Sequence, residues 1–216
     1  MPVFAKNSSY TGLSIKAPVT VRMLIPAQKI KDAKSKLGTT VGSQTVDKVV
    51  WELQYFLCPS DAPDCASPTI ALKTRFYSNR QNNKWMAEIE FDDFYVTPSA
   101  KFTFDAYQFA QEQDTFLDVT FTDSQVTFAV NGRTLLQTDT LKKFAQIRQL
   151  TANSNFYDTA GNPLTVDDTL LQFNGSVMQL IDVGAILNVI IPLAVVGLVL
   201  GLVISLFRKR IPALAK

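Results

Sequence analysis

Histidine is absent from all 216 residues. That excludes histidine-based catalytic triads, haem ligation by histidine and most zinc or copper sites, because imidazole is the usual neutral-pH base and the commonest metal ligand. Cysteine occurs only twice, at Cys58 and Cys65, too few for a four-thiolate cluster. There is no internal repeat, no low-complexity tract, no nucleotide-binding loop and no catalytic motif. The opening residues, MPVFAKNSSYTGLSIKAP, have no apolar stretch and no small-residue cleavage site, so no secretory signal is expected there. These absences point to a non-enzymatic protein, with no catalytic residue, metal or cofactor assigned and no nucleic-acid partner predicted.

Charge is also missing from one long stretch. Val183 to Phe207, VGAILNVIIPLAVVGLVLGLVISLF, contains no charged residue. As a helix rising 1.5 Å per residue it would reach roughly 37 Å, enough to cross a hydrocarbon core of about 30 Å. It stops at Arg208-Lys209-Arg210, so a single C-terminal transmembrane helix is expected over 177–210, followed by a short tail, 211–216. Gly197, Gly201 and Ser205 recur every fourth residue and put small side chains on one face, which lets a second helix or another copy of the chain approach closely. The alternative is ordinary membrane-helix composition. Asn188 lies one turn before Pro192. Proline would kink the helix and free a carbonyl that Asn188 is placed to satisfy.

The basic stop predicts a cytosolic C-terminus with the large domain on the other side. Without a secretory signal, two resolutions remain. Either the chain inserts as a tail anchor with its domain in the cytosol, or it belongs to a membrane-containing particle assembled inside a cell.

Residues 1–50 carry eight Lys and Arg against Asp32 and Asp47, whereas residues 51–182 carry nine against seventeen acidic residues. The basic part would suit an anionic partner, but a solvated lysine-rich helix face accounts for it more simply. Residues 1–17 read as a polar arm, Pro18–Ile25 as a first strand and Ala27–Leu37 as a short helix stopped by Gly38. From Lys48 the period becomes two. Val49, Trp51, Leu53, Tyr55 and Leu57 alternate with Val50, Glu52, Gln54 and Phe56, and further strands are expected over 69–77, 84–96, 101–109, 116–122, 125–130 and 133–137. Asn131-Gly132 predicts a two-residue hairpin. Residues 141–150 suit either a helix or a strand, 151–169 a loop and 170–173 a last strand, with Asn174-Gly175-Ser176 as a linker. The expected fold is mainly β, an antiparallel β-sandwich of jelly-roll or lectin-like type. Residues 1–47 would form an N-terminal arm, strand and basic helix, and 48–176 the sandwich.

Candidate sites are few. A disulfide between Cys58 and Cys65 would close a loop containing Pro59 and Pro63 and contribute about 2–3 kcal/mol. The alternative is two free thiols in a reducing compartment. Glu88, Glu90 and Asp92 share one face of an expected strand, with Asp93 beside them. Such carboxylates bind calcium or act as acid and base on glycosides, with Asp61 and Asp64 as distant further ligands. The favoured reading is the solvent face of an amphipathic strand whose buried residues are Met86, Ile89 and Phe91. Asn7 and Asn174 each begin a glycosylation acceptor pattern.

The leading expectation is a membrane-anchored structural or adaptor protein, specifically a virion protein tying a capsid shell to an internal membrane. Its partners would be membrane lipid and neighbouring shell proteins, and it would self-associate through its helix. One alternative is an accessory single-pass subunit of a cellular membrane complex. The other is a membrane-anchored lectin-like carbohydrate-binding module, with Trp51, Trp85 or Tyr95 stacking on a sugar.

Overall fold

Strict alternation along Lys48–Pro59 organises the molecule. Val49, Trp51, Leu53, Tyr55 and Leu57 all face inward and are buried, because a strand turns successive side chains to opposite faces. The computed structural model describes residues 3–5, 8–59, 65, 68–82, 84–92, 100–106, 113–139 and 144–179. All fall in the first of two compact units, Met1–Leu180; the second is Ile181–Lys216. Of the membrane helix expected over 177–210, residues 177–179 are strand instead, and the rest, with Asn188, Pro192, Gly197, Gly201, Ser205 and Arg208-Lys209-Arg210, lies outside the described residues, as do Asn7, Asp61, Asp64, Asp93 and Tyr95. No helix among the described residues is long and apolar enough to cross a membrane.

In chain order the strands are β1 (Val3–Phe4), β2 (Ser9–Tyr10), β3 (Ile15–Lys16), β4 (Val19–Ile25), β5 (Thr40–Val41), β6 (Gln44–Thr45), β7 (Lys48–Pro59), β8 (Thr69–Asn79), β9 (Trp85–Phe91), β10 (Ala100–Asp105), β11 (Thr115–Phe121), β12 (Gln125–Val130), β13 (Arg133–Asp139), β14 (Phe144–Ala152), β15 (Asn155–Tyr157), β16 (Pro163–Leu164) and β17 (Phe173–Gln179). Helix α1 spans Ala27–Lys36, and a 3-10 turn spans Asp168–Leu171. A six-stranded sheet runs β1-β17-β4-β11-β12-β13. A nine-stranded sheet runs β10-β9-β8-β7-β14-β2, with β3, β15 and β16 attached beside it. Every strand pair is antiparallel.

The sheets pack face to face through one core. Tyr55 of β7 meets Phe121 of β11 at 5.8 Å between ring centroids, and Phe104 of β10 meets Phe128 of β12 at 6.2 Å. Trp85 stacks flat on Phe76 at 5.0 Å, and Trp51 lies 5.9 Å from Trp85. The mainly β, antiparallel expectation therefore holds, and the Asn131-Gly132 hairpin has both residues at positive φ, 49° and 80°.

Several expectations are corrected. Asn174-Gly175-Ser176 is no linker: it lies within β17, paired to Leu24, Met23 and Arg22 of β4. Its glycine answers a packing demand, since a Cβ at Gly175 would sit 1.8 Å from Phe4 Cε2. The strand expected at 170–173 is the 3-10 turn and the entry to β17. Residues 151–169 contain β15 and β16, and of the two readings left open for 141–150 the strand holds, at Phe144–Ala152. The strand expected over 84–96 ends at Phe91. The stretch read as an arm supplies β1 to β3, and β4 occupies the middle of the six-stranded sheet, between β17 and β11.

Helix α1 buries Ile30 and Ala33 and leaves Lys31 and Lys34 in solvent, as an amphipathic surface helix should. Gly38 follows at φ 82°. The register pairs Gln179 with Val19, so the chain leaves β17 at the end of the sheet opposite to the one where β4 hands over to α1.

Candidate functional site: a charged cleft on the outer face of the nine-stranded sheet

The outward positions of β7, β8, β9 and β10 form rows across the sheet. Pairing aligns Glu52 with Arg75, Arg75 with Glu88 and Glu88 with Thr103; the next row is Gln54, Lys73, Glu90 and Lys101. Charged residues that are remote in sequence therefore become cross-strand neighbours, close enough for direct ion pairs. The two rows floor a cleft of about 600 Å³, walled at one end by Asp47 and Lys48 and by Tyr157, Asp158 and Gly161 of the turn after β15.

Arg75 is the hub. Its Nε donates to Glu52, and its Nη1 donates to Glu88 Oε1 at 2.6 Å and to Glu90. Glu88 is only 2 % exposed, so its charge needs these partners. Its second oxygen accepts from Lys101 Nζ at 3.0 Å and from Thr103 Oγ1 at 3.4 Å. Glu52 Oε1 accepts from Gln54 Nε2 at 2.6 Å and Asn153 Nδ2 at 3.3 Å. Lys73 Nζ lies 3.6 Å from Glu90 and 4.0 Å from Asp92. Burial opposes the charge on Arg75, but the Glu88, Glu52 and Glu90 carboxylates outweigh it and raise its affinity for the proton. Burial likewise favours protonation of Glu90, yet the Arg75 hydrogen bond and the Arg75 and Lys73 charges hold its carboxyl below the usual range.

At the cleft wall, Lys48 Nζ sits 4.6 Å from the Tyr77 ring centroid, and burial pushes its ammonium down. Burial raises the Tyr77 and Tyr157 phenols, helped by the Glu88 and Glu52 charges respectively. Asp158 ties its turn. Oδ1 accepts from the Ala160 and Asn162 amides at 2.9 and 2.7 Å, and Oδ2 from Asn162 Nδ2 and Gln44 Nε2 at 3.0 and 2.9 Å. The Asn162 bonds hold the Asp158 carboxyl low.

Glu88 and Glu90 do come together, but on a cation rather than as an acid–base pair. Glu90, its carboxyl held low by Arg75, is a poor proton donor near neutrality. No group of three or more metal-ligating side chains occurs among the described residues, and Glu88, Glu90 and Asp92 face lysines and an arginine instead. The reading of this strand as a plain solvent face is corrected too. Ile89 and Phe91 are buried as expected, whereas Glu88 is buried on the outer face and Met86 shares its side of the strand, half-buried. Trp51 and Trp85, 0 % and 2 % exposed, belong to the core and cannot stack on a sugar. Cys58 and Cys65 are joined, Cα to Cα 5.8 Å, with Cys58 near the far end of β7 from the cleft wall. Asn174 is enclosed in a ladder between Val3 and Leu24.

Sequence reasoning passed over Glu52, Lys73, Arg75, Lys101 and Asn153. A signal was present: charges stand at outward positions of four successive strands.

No protein-family model and no curated protein matches the sequence. Among solved structures the chain is similar to sheep galectin-11 in complex with glycerol, at 10% identity and a TM-score of 0.44, covering 80% of this chain and 98% of that one. It is similar to the toad ovary galectin complex with thio-digalactose, at 10% identity and a TM-score of 0.42, covering 81% and 99%. It is also similar to the Caenorhabditis elegans galectin LEC-6, at 9% identity and a TM-score of 0.37, covering 81% and 95%. At this identity and overlap the likeness bears on neither ligand nor activity. The antiparallel, two-sheet architecture stands on the strand pairing itself.

Proposed function

We propose that this protein is a non-enzymatic carbohydrate-binding module tethered to a membrane by residues 183–207, with Arg208-Lys209-Arg210 as the stop. The observation that carries the binding assignment is the cleft. Its floor is a fixed lattice of donors and acceptors, its volume of about 600 Å³ suits a few sugar rings, and the half-buried Tyr157 ring stands in its wall. Sugar hydroxyls both donate and accept, and a surface already ordered by ion pairs binds them without a further cost of immobilising side chains.

The shell-to-membrane virion adaptor and the accessory-subunit readings draw on the uncharged run and on Gly197, Gly201 and Ser205. The cleft ranks carbohydrate binding above both. The test is a printed glycan panel probed with the full chain in detergent. Binding to a defined subset, weakened at least fivefold by Asn153→Ala with an unchanged melting temperature, is the expected result. A panel without a single binder ends this reading.

A further inference from the structure

The balance of spent and unspent hydrogen-bonding groups in the cleft points to its ligand class. Five of the six carboxylate oxygens of Glu52, Glu88 and Glu90 accept a hydrogen bond from a cation or an amide within the cluster, and the sixth, Glu90 Oε1, lies 3.6 Å from Lys73 Nζ. Both oxygens of Asp158 are consumed by their own turn and by Gln44. Further acceptors lining the cleft are the Asp47 carboxylate, the amide oxygens of Gln54 and Asn153, and the hydroxyls of Tyr157 and Thr159. The donor side is less exhausted. An ammonium has three N–H groups and a guanidinium five. Lys101 bonds Glu88 while its side chain stays 56 % exposed, Lys73 comes no closer than 3.6 Å to Glu90 and 4.0 Å to Asp92, Arg75 commits Nε and Nη1 but not Nη2, and Lys48 faces a ring instead of a carboxylate. An incoming ligand therefore meets the exposed ammonium of Lys101, whereas the carboxylate it bonds, Glu88, is only 2 % exposed.

We infer that the cleft selects acidic saccharides, sugars bearing a carboxylate or a sulfate, with Lys101 and Lys73 as the cations that meet that group. This inference rests on the carbohydrate-binding reading and adds a charge requirement to it. The anion would replace the water around Lys101 and Lys73 without breaking the Arg75 cluster. Charge-assisted bonds of this kind are roughly twice as strong as neutral ones.

The test uses the full chain in detergent against matched oligosaccharides, each neutral sugar printed beside its monosulfated and its uronic-acid counterpart. Polyglutamate serves as a non-sugar polyanion competitor. We expect acidic members to bind at least tenfold more tightly than their neutral twins, with the margin shrinking as salt rises. Lys101→Ala and Lys73→Ala should each reduce that margin three- to tenfold. Lys31→Ala, the same charge change on α1, should leave it unaltered. Equal affinity for neutral and acidic twins would overturn the charge requirement while leaving carbohydrate binding intact. Binding to no sugar at all would remove both. Competition by polyglutamate as strong as by the sulfated sugar would overturn the saccharide assignment in favour of polyanions at large.

Discussion

Two arginines stand on the two outer faces of this sandwich, and their surroundings differ in kind. On the six-stranded sheet Arg22 makes a bidentate pair with Asp118, two bonds of 2.7 Å, under the Phe116 ring at 4.8 Å. One cation meets one anion, and the hydrogen bonds that the guanidinium donates to Asp118 raise its pKa. On the nine-stranded sheet Arg75 serves three carboxylates, and Lys73 and Lys101 supply the balancing charge. The first arrangement is closed and explains itself as sheet stabilisation. The second shares one guanidinium among three carboxylates and needs two lysines to balance the charge. A self-sufficient pair needs no further charge, whereas an over-subscribed hub depends on neighbouring cations, one of them 56 % exposed.

Removing each arginine tests this difference with the largest effect. Arg75→Met leaves three carboxylates together, one of them 2 % exposed, and should cost about 3–5 kcal/mol in urea unfolding at neutral pH. Arg22→Met leaves one carboxylate beside a side chain that was already 33% exposed, and should cost about 1–2 kcal/mol. Adding Glu88→Gln to Arg75→Met should recover part of the loss, because one orphaned charge is gone. Equal costs for the two arginines, or no recovery, would erase the distinction between the faces.

Acid unfolding separates the two sites next. The folded-state carboxyl of Glu90 is held below its ordinary value of about 4.3, so its contribution is complete above that pH and is lost as pH falls through the lowered value. Asp158 and Asp167 are shifted in the same direction and add to the same window. Glu90→Gln should therefore flatten the stability curve below about pH 5 by up to one proton, while the Asp158 and Asp167 share persists. A slope that Glu90→Gln leaves unchanged would mean that the hub does not hold this carboxyl down.

The two faces were also unequally legible. The alternation from Val49 to Leu57 showed which side of β7 is buried, and Asn131-Gly132 announced its hairpin, because both signals are local. Arg75 gave no such signal. Its role arises from pairing with Glu52 and Glu88, 23 and 13 residues away, and register between distant strands is not written in either segment alone. Gly175 misled for a related reason. Beside Asn174 and Ser176 it reads as a linker, and only the Phe4 ring, brought over it by the β1–β17 pairing, explains why no larger residue stands there. The tryptophans looked like sugar platforms by residue type, but their parity in β7 and β9 turns them inward. The charged face is thus the product of register, and the core the product of period.

The smallest expected effect concerns the aromatic ring under each cation. Lys48 lies over Tyr77 at 4.6 Å and Arg22 over Phe116 at 4.8 Å. A partly desolvated cation over a ring is worth about 0.5–2 kcal/mol. Arg22 already has a bidentate partner, so Phe116→Leu should cost no more than about 0.5–1 kcal/mol beyond lost packing. Lys48 lies in the cleft wall with its ammonium pushed down by burial, so the ring is a larger share of what compensates it. A double-mutant cycle of Lys48→Met with Tyr77→Leu isolates this coupling from the packing changes that each substitution brings. It should exceed the Arg22–Phe116 coupling by a few tenths of a kcal/mol. Tyr77→Phe should retain most of the coupling, because the face of the ring and not the hydroxyl meets the ammonium. If Tyr77→Phe abolished it, the hydroxyl's link to Glu88 and Thr103 would be what places Lys48, and the wall would belong to the same hydrogen-bonded lattice as the cleft floor.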